Sequence, residues 1–133
     1  MPRGQWVQVR RSSRDPHFLR DKSRIEAACR AHIEKVLKPR FVVRPSKEFN
    51  YAIDLRGGWY STSFRFVQRY RSGTDQPEEF EFDAPLARIE YAGPNRFNVW
   101  WFRHTNQWWR LHSGVSLEKA LELMESEGIL QPL

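Results

Sequence analysis

Cysteine is almost absent from this 133-residue chain: Cys29 stands alone, which excludes an internal disulfide and any zinc site built on paired cysteines. No apolar run approaches the roughly 20 residues that a membrane-spanning helix needs. The first 24 residues are arginine-rich and lack an apolar stretch, so no secretory signal is expected there. Glycine patterns for a phosphate cradle or a nucleophile elbow are missing, and Gly57, Gly58 and Gly73 read as turn residues. These absences favour a soluble cytoplasmic protein without a membrane partner, built as one domain long enough to bury a core without metals.

Aromatic residues are abundant, at 14% of the chain, and supply a large buried area per side chain. The net charge of +6 is unevenly placed. Residues 1–47 hold 13 Lys+Arg against 4 Asp+Glu, whereas residues 48–133 hold 9 against 12. Arginine outnumbers lysine by 17 to 5, and arginine is the better residue for stacking on rings and for forked contacts to phosphate. A basic N-terminal segment over residues 1–22, carrying Arg10 and Arg11, reads as a flexible arm preceding a single domain over 23–133.

The most informative stretch is Asn98 to His112, NVWWFRHTNQWWRLH, with four tryptophans in two pairs and no acidic residue. Two aromatic-rich runs around a short polar centre predict a β-hairpin. With Thr105 and Asn106 as a two-residue turn, Phe102 faces Trp109 and Trp101 faces Arg110. Alternation along each strand then puts Trp100, Phe102, Trp109 and Leu111 on the core face. Trp101, Arg103, Trp108, Arg110 and His112 share the other face.

Ser23 to Glu26 matches a capping box, and Ile25, Ala28, Cys29, Ile33, Val36 and Leu37 follow at helical spacing until Pro39. The period then changes to two. Residues 49–56 alternate as a half-buried strand, Gly57-Gly58 supplies a turn signal, and 59–70 return. Phe80 and Phe82 read as a short edge strand, which Pro85 separates from a strand over 86–91. Ser116 caps a terminal helix whose stripe is Leu117, Ala120, Leu121 and Met124, with Gly128 as its stop. The expected fold is therefore two-layer α+β: an antiparallel meander of about five strands, with an N-terminal and a C-terminal helix on one face. The uncovered face would collect Arg56, Arg65, Arg69, Arg88, Trp101, Arg103, Trp108 and Arg110, with Asp54 and Glu90 moderating its charge.

From Ala87 onward the chain resembles a small uncharacterised bacterial domain family. The residues that carry the resemblance are Ala87-Arg88-Ile89-Glu90-Tyr91, Trp100-Trp101-Phe102-Arg103, Asn106-Gln107-Trp108-Trp109-Arg110 and the acidic helix Leu117 to Glu127. His104 stands where that family usually has an acidic residue before the turn. The family has no assigned activity, so the resemblance implies the fold and supplies no chemistry.

Catalytic patterns are weak. Asp54, Glu81, Asp83 and Glu90 lie on or near strands without a metal motif, and pairing with strand arginines is their simpler role. His104 and His112 would need His17 as a third zinc ligand. No catalysis, cofactor or metal is expected. What remains is aromatic and basic: unpaired bases stack on tryptophan while arginines neutralise phosphates. The expected function is binding of single-stranded DNA or RNA through Trp101, Arg103, Trp108, Arg110, Arg65, Arg69 and Arg88, assisted by Arg10 and Arg11 in the arm. The alternatives for the same surface are a protein interface or self-association, to which Trp and Arg contribute most binding energy, or cross-strand cation–π pairs that only stabilise the hairpin.

Overall fold

The computed structural model describes residues 12–42, 49–75, 80–103, 105–127 and 130. Helix α1 (Pro16–His32) runs into a π-helical turn (Ile33–Leu37) and a last short helix, α2 (Lys38–Phe41). Five strands follow, β1 (Tyr51–Tyr60), β2 (Ser63–Arg71), β3 (Glu81–Gly93), β4 (Arg96–Phe102) and β5 (Trp108–Val115), and α3 (Leu117–Ser126) closes the order. All neighbouring strands are antiparallel and the sheet order is β1-β2-β3-β4-β5, the expected meander.

The first helix starts earlier than the capping box suggested. Asp15 accepts hydrogen bonds from the backbone N–H of His17 at 2.8 Å and Phe18 at 3.4 Å, and Pro16 sits in the first turn, where its missing N–H costs nothing. Residues 16–22, expected as part of the arm, therefore belong to α1, and Phe18 is its first core residue. Residues 1–11 lie outside the described residues. Pro39 does not stop the helical path at once. The N–H of Lys38 donates to the carbonyl of Ile33, five residues back, and this π-type turn admits proline in the turn that follows.

The core lies between the helices and one face of the sheet. Phe18, Ile25, Cys29, Ile33 and Leu37 pack against Leu55, Phe64, Phe66, Ile89, Tyr91, Phe97 and Val99, and Leu117, Ala120, Leu123 and Met124 come from α3. Phe18 meets Trp59 edge-on, with ring centroids 5.2 Å apart, and lies 5.4 Å from Tyr91. Ser116 caps α3 as expected, accepting from the N–H of Lys119 at 3.1 Å. Burial pushes the Cys29 thiol up to about 12, consistent with a small core residue rather than a nucleophile.

Three local expectations change. Gly57 and Gly58 lie inside β1, and the chain reverses at Ser61-Thr62, where Ser61 takes φ 54°. Gly57 is required by packing: a Cβ there would run into the Phe64 ring and come within 2.9 Å of Ile33 Cδ1. Pro85 does not divide two strands, because β3 passes through it with a register shift opposite Phe66 and Val67 that absorbs one extra residue.

The third change concerns the last hairpin. Arg103 N–H donates to the Gln107 carbonyl at 2.9 Å, leaving three residues between them instead of two, with Asn106 at φ 61°. Phe102 therefore pairs with Trp108, Trp101 with Trp109 and Trp100 with Arg110. A register step of one residue exchanges the faces of a strand. Trp101 packs against the core cluster, and Trp100 and Phe102 take the open side.

Both borders of the sheet are irregular or covered. β5 carries register shifts on either side of Val99, and at the β1 border Arg30 Nη1 donates to the Gly57 carbonyl at 3.1 Å.

Two neighbouring glycines test this packing. Gly57→Ala is expected to lower stability by about 1–3 kcal/mol through overpacking against Phe64 and Ile33. Gly58→Ala, whose Cβ would meet nothing within 4 Å, is expected to stay within about 0.5 kcal/mol of the parent. Urea unfolding of the two variants checks the contrast.

Candidate nucleic-acid interface

The side of the sheet opposite the described helices divides into two regions of different chemistry. In the first, at the strand ends that carry Asp54, Arg56, Arg69, Arg71, Glu81 and Asp83, the arginines face carboxylates. Arg69 Nε lies 2.9 Å from Glu81 Oε1 and Arg69 Nη1 3.0 Å from Asp83 Oδ1. Arg71 Nη2 reaches Glu81 Oε2 at 2.8 Å, and Arg56 Nη2 reaches Asp83 Oδ1 at 2.7 Å. The register explains the ladder, since Arg71 pairs with Glu81 and Arg69 with Asp83 across β2 and β3. Hydrogen bonds from Arg71 and Arg69 hold Glu81 below the usual carboxylate range, and Arg69 followed by Arg56 does the same for Asp83. Asp54, Glu81 and Asp83 thus converge on arginines, and Arg69 is already neutralised.

In the second region, at the other end of the strands, arginines lie over rings. One cross-strand row reads Gly58, Arg65, Arg88, Trp100, Arg110 from β1 to β5. The Arg88 guanidinium is 4.5 Å from the Trp100 ring centroid and 4.9 Å from that of Trp108. Arg65 is 4.0 Å from the Tyr60 ring and 5.5 Å from Trp108, and Arg110 is 6.0 Å from Trp100. Phe102 meets Trp108 edge-on at 5.0 Å. Arg65 Nε is enclosed without a hydrogen bond among the described residues, so ring faces rather than carboxylates hold this side chain. From Arg65 to Arg110 the row crosses three strand spacings, about 14 Å at about 4.8 Å each.

Of the residues expected here from sequence, Arg65, Arg88, Trp108 and Arg110 come together on the open face. Trp101 and Arg103 do not. They lie on the helix side with Trp109, where the Arg103 guanidinium is 4.9 Å from the Trp109 ring and 5.7 Å from that of Trp101. The cause is the three-residue loop, which shifts the pairing by one position. Trp100, Phe102 and Tyr60 take part in the open cluster and were not expected there. Asn106 was the available signal, since it tolerates the left-handed conformation that ends a three-residue hairpin loop. Arg10 and Arg11 lie outside the described residues.

Two of the described histidines tie elements together, and His104 lies outside the described residues. His112 Nε2 is 2.8 Å from Glu127 Oε2 and His32 Nε2 is 3.5 Å from Glu125 Oε1, tying the end of α3 to β5 and α1. Burial lowers the His32 pKa, partly opposed by Glu125. His17 occupies the first turn of α1, and among the described residues no three His, Cys, Asp or Glu side chains form a group that could hold a metal. A recess of about 280 Å³ beside β1 is lined by Arg30, Ile33, Lys38, Leu55 and Arg56 among others, and its Lys38 is already bound to Glu34 at 2.8 Å and Asp54 at 3.2 Å. No described helix is long and apolar enough to cross a membrane.

The carboxylate ladder has a pH signature. Glu81 and Asp83 titrate lower in the folded chain than in the unfolded one, so their contribution is complete above the ordinary carboxylate range near pH 4. It fades as the pH falls through their lowered folded values. Arg69→Gln is therefore expected to flatten the acid limb of a melting-temperature profile between about pH 5 and pH 2. An acid limb as steep as the parent's counts against the ladder.

No curated protein and no solved structure matches the chain. A family model described as a domain of unknown function (DUF3024) matches residues 13–131, so the chain belongs to that uncharacterised family, in keeping with the pattern read from Ala87 onward.

Proposed function

We propose that this domain binds single-stranded nucleic acid through the Tyr60, Arg65, Arg88, Trp100, Phe102, Trp108 and Arg110 face, without catalysis. The observation that carries the reading is the row Arg65-Arg88-Trp100-Arg110 on the side of the sheet opposite the helices, with Trp108 beside it. A guanidinium lying over an indole uses its π face there and keeps in-plane N–H donors for phosphate oxygens. Held between rings, it loses less freedom when a ligand arrives than a mobile lysine would. Exposed indole and phenyl surface offers stacking for bases regardless of sequence.

Charge complementarity favours a polyanion over a neutral partner. The ladder end of the face balances Arg56, Arg69 and Arg71 with Asp54, Glu81 and Asp83, whereas the ring-lined end sets Arg65, Arg88 and Arg110 beside one carboxylate among the described residues, Glu90. The strand would track the ring-lined end. Arg10 and Arg11 in the basic N-terminal segment add phosphate contacts in this reading, and a cytoplasmic location suits it. The alternative is a protein partner or self-association through the same Trp/Arg surface.

Trp108→Ala removes the ring shared by Arg65 and Arg88 and is expected to weaken binding of a labelled oligonucleotide about tenfold, within the 1–3 kcal/mol range of base stacking. Arg110→Gln is expected to weaken it and to lower the salt dependence by about one counterion. Arg69→Gln is expected to leave affinity unchanged. Fluorescence anisotropy at two salt concentrations checks all three, and equal affinity of Trp108→Ala and the parent would refute the reading. Concentration-dependent sedimentation without oligonucleotide binding would favour the protein interface.

A further inference from the structure

Among the described residues Glu90 is the one carboxylate at the ring-lined end of the open face, and its bonding is unusual for that position. It sits two residues along β3 from Arg88, and its cross-strand neighbours are Ser63 on β2 and Asn98 on β4. It forms no ion pair with either arginine among the described residues. Its Oε1 instead accepts from two neutral donors, Asn98 Nδ2 at 3.1 Å and Trp100 Nε1 at 3.0 Å. Asn98 is fixed in turn, because its Oδ1 accepts from the Gly114 N–H at 3.1 Å. A chain of hydrogen bonds thus runs from β5 through Asn98 to the carboxylate. One oxygen is used twice, and Oε2 makes no hydrogen bond among the described residues.

A negative charge beside a phosphate-binding row repels the backbone of the ligand. Charge balance would be met more directly by an Arg65 or Arg88 ion pair. A rigidly held acceptor with a spare oxygen has a different use: it can take a hydrogen bond from a base edge. Carboxylates accept from the exocyclic amine of cytosine, and adenine carries such an amine as well. Thymine and uracil present a single ring N–H between two carbonyl oxygens, which a carboxylate repels.

We infer that Glu90 is a specificity residue that makes this face prefer bases carrying an exocyclic amine over thymine or uracil. The inference rests on the nucleic-acid reading above and adds the class of base. Positioning by Asn98 and Trp100 is part of it, since both donors keep the carboxylate away from the arginines. Replacing Glu90 by glutamine preserves an Oε1 acceptor for these two donors while turning the free oxygen into an amide donor, which suits a thymine carbonyl.

The test compares labelled oligo-dC, oligo-dA and oligo-dT of equal length against the full chain, Glu90→Gln and Trp108→Ala, with melting temperatures confirming that each variant is folded. The parent chain is expected to bind oligo-dC and oligo-dA at least fivefold more tightly than oligo-dT. Glu90→Gln is expected to bring that ratio to one or below by gaining affinity for oligo-dT. Equal binding of all three by the parent, with Trp108→Ala weakening all of them, overturns the inference and leaves the binding face intact. A uniform gain across the three in Glu90→Gln overturns it too, by reducing Glu90 to a repelling charge. Absence of binding to any of the three by the parent overturns the binding reading itself. The wild-type comparison needs no variant, so a glutamine substitution that fails to fold does not remove the test.

Discussion

The pairing of Phe102 with Trp108 decides what each face of this sheet can do. It turns Trp101 toward the helices and sends Trp100 and Phe102 to the bare side. Three consecutive aromatic residues of β4 are thereby shared between the two surfaces. Were the loop one residue shorter, the bare side would lose the ring that lies under Arg88, and the core side would have to accommodate a different indole. The energetics of both faces rest on this register, because pairing is regular from Trp100 to Phe102 and alternation fixes the face of each residue there.

On the bare side, arginines find two kinds of partner. Arg56, Arg69 and Arg71 meet carboxylates across the strands, a mutual cancellation that contributes little at an exposed surface. Arg65 and Arg88, at the other end of β2 and β3, lie over Tyr60, Trp100 and Trp108. A ring orients a guanidinium without cancelling its charge. The same residue type thus plays a structural part at one end and keeps its positive field at the other, and the dividing factor is the neighbour that the strand register supplies.

Much of this was legible from residue order. Alternation in Ser63–Arg71 and in Ala87–Tyr91 assigns Phe64, Phe66, Ile89 and Tyr91 to the core, and the structure agrees, because both faces of these strands differ sharply in polarity. Ser116 marks the start of α3 by a local hydrogen bond that needs no tertiary context. Harder to read were features set by geometry between segments. Every position of Asn98–Phe102 is apolar or aromatic except Asn98, so polarity carries no parity there, and loop length alone decides the face. Gly57-Gly58 looks like a turn, but Gly57 is small because Phe64 and Ile33 occupy its Cβ space. The start of α1 was written in Asp15-Pro16, yet the polar residues between Phe18 and Ile25 interrupt the stripe that would draw attention to it.

The two margins of the sheet have a further effect. An open meander with exposed rings is a template on which other chains can add strands, the first step toward fibrillar assembly. Here the guanidinium of Arg30 occupies a carbonyl at the β1 margin, and β5 departs twice from regular pairing. Neither margin offers an uninterrupted ladder of amides. A polypeptide this rich in tryptophan can therefore keep its described helices on one broad side of the sheet while discouraging strand-by-strand polymerisation.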